Sequence, residues 1–250
     1  MILPFLFFIS VSLCLGSNPA RAADAAPVPL STGWEQTDQT DDGITVFRKE
    51  IPGSSIIAFR GTAIIDAPIA KLTQILLDDP RAPEWAEDLE ESKIIRWVKE
   101  PLDYYEYNHV GTPFILKDRD FVSHVTLTVL LENRSVTVNY ETADDKEYPQ
   151  TRYVRGDING SGFRLTSLEN DTRTFFDGVV KADPKGNIPK WLVNFFQKSW
   201  PKDTIRAIRK QALKPDVVEH PYFKALFHPV ALATPVPSPV PGAKAPAKAK

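Results

Sequence analysis

Apolar and polar residues alternate with period two over residues 43–48, and again over 54–65, where Ile57, Phe59, Gly61 and Ala63 share one face. Both stretches predict half-buried strands. The period then lengthens. Ile69, Leu72, Ile75 and Leu76 recur at helical spacing, behind Asp66 as the expected N-cap and Pro68 in the first turn. Asp79-Pro80 ends that helix, and residues 81–87, around Trp85, predict a short helical turn. Strands follow at 93–99, 103–110, 121–131 and 135–142, with short polar or Pro-containing connections that suit an antiparallel meander. The charged run 144–147 reads as a solvated hairpin tip. Two more strands are predicted at 154–168 and 172–182, the first bulged or bent at Gly160 and Gly162.

A turn at 183–187 leads into a long helix from 189 to about 213. Its first half places Trp191, Leu192, Phe195, Phe196 and Trp200 on a wide apolar arc, with Asn194, Gln197 and Lys198 opposite. Pro201 removes a backbone donor and is expected to kink the helix; Ile205, Ile208 and Ala212 continue a narrower stripe. In residues 220–228, Tyr222, Phe223, Leu226 and Phe227 share one face, read first as docking back onto the domain and second as touching a membrane. The predicted class is α+β: a curved antiparallel sheet needs a filler for its concave side, and the terminal helix is the natural one. Where the helix leaves space, an apolar cavity remains.

The ends of the chain read differently. Residues 1–16 carry no charged side chain, too short a run to span a bilayer, and Ala20-Arg21-Ala22 follows as an A-x-A cleavage pattern. The expected organisation is a signal peptide at 1–22, a linker at 23–32, a folded domain at 33–214, a short amphipathic extension at 215–228 and a Pro/Ala/Lys tail at 229–250. Cleavage would leave a mature chain without cysteine, since Cys14 is the single one, in a secreted or periplasmic location.

Composition narrows the chemistry. A net charge of −2 supplies no positive field for nucleic acid. His109, His124, His220 and His228 show no metal-ligand spacing, so neither metal nor cofactor is expected; His109 keeps a minor claim to orient a ligand. Gly160-Ser161-Gly162 lies within a strand pattern and is not a nucleophile elbow. Asp78-Asp79 and Glu90-Glu91 read as solvated surface.

Three segments carry a resemblance. Gly33-Trp34-Glu35 with residues 42–48, Asp118-Arg119-Asp120-Phe121-Val122, and the D-P-x-G-x-I-P-x-W-L-x-N run at 183–194 resemble, in order and spacing, the StAR-related lipid-transfer (START) domain family. The resemblance implies the helix-grip fold, a curved sheet gripping a long C-terminal helix around a lipid-sized tunnel. It also implies binding or transfer of one lipid without chemistry. Glu106 matches the interior acid of the sterol-handling branch, but its basic partner falls on Val125, leaving Arg155 or Arg164 as substitutes. Tyr105 and Phe121 match two positions of the choline cage of the phosphatidylcholine branch, while the third falls on Asn159; Arg81 aligns with the phosphate-binding arginine only with one inserted residue. The expected ligand contacts are therefore Glu106, Tyr105, Phe121 and Arg155, with Phe195 and Phe196 from the helix arc. The expected protein is a non-enzymatic monomer whose partners are a phospholipid, sterol-like or fatty acyl ligand and, transiently, a membrane. A helix-grip enzyme acting on a polyketide-like substrate and an adaptor with a filled tunnel are the alternatives.

Overall fold

The computed structural model describes residues 32–112, 116–143 and 151–228; the expected signal peptide, hairpin tip and tail lie outside them. Ten strands form one sheet: β1 (Glu35–Gln39), β2 (Thr45–Glu50), β3 (Ile57–Ile65), β4 (Leu89–Lys99), β5 (Asp103–Val110), β6 (Arg119–Leu130), β7 (Ser135–Thr142), β8 (Val154–Arg155), β9 (Ser161–Leu168) and β10 (Arg173–Val180). The order is β1-β2-β3-β10-β9-β7-β6-β5-β4, with β8 lying parallel against β6. Helix α1 (Ile69–Leu77) follows β3, α2 (Lys190–Ala212) follows β10, and α3 (Pro221–Phe227) closes the described chain. This is the α+β architecture that the residue pattern predicts.

Alternation decides the faces of the sheet. Val46, Ala63, Phe176, Leu165, Val138, Val125 and Tyr104, from seven strands, all bury inward in one core with Ile205 and Ile208 of α2. Helix α2 crosses β3 at Gly61. A Cβ on Gly61 would stand 2.7 Å from the Pro201 Cβ, so only glycine admits the helix this close. The helix is continuous across Pro201, whose ring is buried in that contact.

Several expectations change. The polar run Glu35–Gln39, without any apolar alternation, becomes an edge strand because β2 offers it a ladder. The single strand expected over 154–168 breaks in two around a turn that bends at Gly160 (φ +80°), as expected there, and β9 resumes in the direction of β8. Gly162 then pairs in regular register with Asn139, and a Cβ there would lie 2.4 Å from the Val138 carbonyl oxygen. The turn expected at 81–87 is a 3-10 turn at Asp79–Glu84.

Asp66 is not the cap of α1: it is exposed and paired with Arg173. The N-cap position is Pro68, and the orphan N–H of Ile69 donates instead to Asp171 Oδ1 at 3.1 Å, 102 residues away. Asp171 also accepts from the Ser167 hydroxyl at 2.7 Å and meets His228 at the end of α3. Helix α3 packs onto this corner with Phe223 and Phe227 buried in the main core, the docking that its amphipathic pattern predicts.

Of the wide apolar arc expected on α2, Trp200 packs against the core and stacks on Phe163, but three residues face outward. Trp191, Phe195 and Phe196 are 70%, 66% and 46% exposed. The polar side of the same turns faces the sheet. Asn194 Oδ1 accepts from the Ile57 amide at 3.0 Å, and its Nδ2 donates to the Ser55 carbonyl. Gln197 makes the same reciprocal pair with the backbone of Ala182. Free backbone groups at strand ends need partners more than the surface needs apolar cover, and two amides supply them.

Candidate ligand-binding interior

Strand β5 places Tyr104, Glu106 and Asn108 on the inner face, where Glu106 lies opposite Ser123 of β6 and Tyr104 opposite Val125. Glu106 is 3% exposed, and its Oε1 accepts from Asn108 Nδ2 at 2.6 Å. A second acid enters from the 3-10 turn: Asp79, also 3% exposed. Four oxygens of this region, Asp79 Oδ2, Tyr104 Oη, Asn108 Oδ1 and Ser123 Oγ, are buried without a hydrogen-bond partner. The Trp85 indole N–H is in the same condition. Such groups cost free energy that a packed apolar core would avoid.

The electrostatics follow from burial. Desolvation pushes Asp79 up to about 7, against a hydrogen bond from Ser92, with Asp78 adding to the rise. Desolvation also holds Glu106 well above the carboxylate range, and the charge of Asp79 raises it further. Tyr104 and Tyr140 are held well above the usual phenol value by burial and then by these acids. Four titratable side chains thus share one low-dielectric interior.

The other sequence candidates are distributed around this site. Phe121 is on the inner strand face opposite Asn108, its ring pressed against the Gly156 backbone. Tyr105 precedes Glu106 and lies on the opposite face: it stacks on His124 at 4.6 Å under the Arg96 guanidinium, because neighbours on a strand cannot both face inward. Arg155 does not replace the missing basic partner of Glu106. It binds buried Asp120 through two hydrogen bonds of 2.9 and 3.2 Å. Phe195 and Phe196 stand on the outside of α2. His109, on the outer face of β5, divides its ring nitrogens between Asp118 at 3.1 Å and Glu90 at 3.5 Å and stacks on Tyr153. These three side chains bring one ligand-type atom each within 4.8 Å, but as an ion-paired cluster on the side away from Glu106.

Sequence reasoning missed Asp79, expected as solvated. The signal was present: Ile69, Leu72 and Leu76 mark the buried face of α1, and Asp79 continues their spacing. Tyr104 was also missed, though it shares the alternation of Glu106. A groove of 390 Å³ runs past Trp34 and Lys49 and reaches Tyr140, Ser161 and Phe163. A larger depression of 510 Å³ on the loop around Pro52 and Gly53 has no part in this cluster.

The START domain family model matches residues 30–213. An uncharacterised protein of Pseudomonas aeruginosa is 25% identical over 193 residues, spanning 74% of this chain and 89% of the relative. The crystal structure of a STAR-related lipid transfer protein fragment from Xanthomonas axonopodis superimposes with a TM-score of 0.63 at 24% identity, covering 73% of this chain and 99% of that one. Human StAR-related lipid transfer protein 5 gives a TM-score of 0.66 at 17% identity, with 73% and 87% covered. At those identities the two structures establish the shared helix-grip fold.

Proposed function

Since the chain belongs to the START domain family, we propose that it binds one lipid or other apolar ligand between the concave face of the sheet and α2, and releases or transfers it unchanged. The observation that carries this reading is the set of buried, unpartnered oxygens around Glu106 within an otherwise apolar interior. A ligand with a polar end gives those atoms partners, and its apolar body supplies the affinity. A few hundred Å² of buried apolar surface is worth several kcal/mol at about 25 cal/mol per Å², before ordering costs.

The route of entry follows from α2. Its first half is tied to the strand ends by Asn194 and Gln197, and it carries Trp191, Phe195 and Phe196 on the outside. That outer face suits transient contact with a membrane, where aromatic side chains sit at the headgroup level. The apolar run 1–16 and the Ala20-Arg21-Ala22 pattern support a secreted or periplasmic location.

Mass spectrometry of lipids co-purifying with the full chain tests this. One lipid per chain, matching a lipid of the source membrane, is the expected result. A protein that carries none, and whose melting temperature no added lipid raises, would be an adaptor with a filled interior. Asp79, held near the neutral range, favours one second reading, acid–base chemistry on the ligand. Recovery of a chemically altered ligand after incubation would select it.

A further inference from the structure

Resting on the binding reading above, we propose that the polar end of the ligand is a protonated amine, and that the interior rejects anionic headgroups. The groups around Glu106 come from several elements. Its own strand supplies Tyr104 and Asn108, β6 supplies Ser123, and β4 supplies Ile94 opposite it, with Ser92 further along the same strand. Tyr140 reaches its field from β7, Asp79 from the 3-10 turn with Asp78 behind, and α2 adds the apolar Ile205, Ile208 and Ala212 to this core, with Trp200 packed against it.

Among the described residues, no cation acts on either acid. The buried arginines are committed elsewhere. Arg60 is bound bidentately to Asp177 at 2.7 Å, Arg155 to Asp120, and Arg119 to the carbonyls of Pro184 and Lys185. A phosphate or carboxylate headgroup would enter a site with two acids and no counter-charge.

The unmet groups are mostly acceptors. Asn108 Oδ1 accepts in any state, Asp79 Oδ2 accepts only once it is ionised, Tyr104 Oη and Ser123 Oγ can accept or donate, and the Trp85 indole N–H is the one obligate donor. An ammonium offers three donors and no acceptor. It also brings a positive charge, which favours the ionised forms that burial disfavours. Its entry therefore expels a proton from the pair. Affinity for an amine rises with pH through the neutral range, where Asp79 titrates in the free protein, while affinity for an alcohol does not.

The test is calorimetric titration of the full chain with dodecylamine, dodecanol and dodecanoate at about pH 6 and about pH 8. An alkyl amine stays protonated at both. The expected order is amine, then alcohol, then carboxylate, with amine affinity rising about tenfold between the two conditions. Glu106→Gln and Asp79→Asn should each remove about tenfold of the preference for dodecylamine over dodecanol. Melting curves report whether the variants fold, and if neither does, the wild-type ranking and pH slope decide alone. Equal binding of amine and alcohol without pH dependence, or preference for dodecanoate, overturns the amine and leaves lipid binding standing. Binding of none of the three overturns both.

Discussion

Asp79 builds a pH dependence into folding itself. Its carboxyl is raised from 3.8 to about 7, so between those values the folded chain holds a proton that the unfolded chain releases. Stability is then greatest at low pH in this window and falls as pH rises toward 7, by up to about 1.4 kcal/mol per unit. Exposed Asp42 and Glu84, held low by hydrogen bonds from Arg206 and Arg81, act in the opposite sense and only at more acid pH. Asp79→Asn should therefore stabilise the ligand-free protein by about 2–4 kcal/mol near pH 8 and change it little near pH 4, read from urea unfolding at each pH. Equal effects at both would show that Asp79 is solvated after all. At this scale legibility was uneven. Glu106 could be read from strand alternation and from the resemblance, whereas Asp79 sits in Asp78-Asp79-Pro80, whose local polarity masks the helical spacing that buries it. Tyr105 was drawn in by the resemblance against the strand's own parity.

Helix α2 works as two elements. Past Pro201 it is core, with Ile205 and Ile208 fully buried; before Pro201 only Val193 is, and its side-chain ties to the strand ends include the amides of Asn194 and Gln197 and the Lys190–Asp183 pair. Proline deprives the Gln197 carbonyl of its helical donor, so the two halves are weakly joined in hydrogen bonding. Asn194→Ala should cost about 1–2 kcal/mol of stability and speed the exchange of a bound fluorescent lipid several-fold, measured by stopped flow. Unchanged exchange would place the gate elsewhere. Phe195→Ala, on the exposed side, should change stability by less than about 0.5 kcal/mol and weaken association with lipid vesicles. The helix itself was readable from its spacing and its Pro-Lys-Trp entry, but its rotation was not. An apolar arc normally faces the core, and only the unpaired backbone groups of Ile57, Ser55 and Ala182, distant in sequence, reverse that preference.

Across the whole molecule, strand alternation and short connections were enough to read the meander from β4 to β7, with β5 and β7 at their observed bounds and β4 and β6 differing only at their ends. The junction of β3 with β10 was not, since no local pattern tells a first strand that its neighbour lies more than 100 residues away. The family match stops at residue 213, yet the buried core does not. Phe223 and Phe227 of α3 fill a recess beside α1, and Asp171 fastens that corner to α1, β9 and His228 together. Helix α3 is thus a stopper rather than an appendage. A chain cut after Leu213 would keep every strand but leave an uncorked apolar socket on its surface, and such sockets find each other. The shortened protein should lose about 3–5 kcal/mol, the scale of emptying one buried phenylalanine site, and should run as dimers or larger species in sedimentation while the full chain does not. Adding back a synthetic peptide spanning 214–228 should return it to the monomer, and failure of the peptide to do so would mean that α3 stabilises by covalent continuity alone.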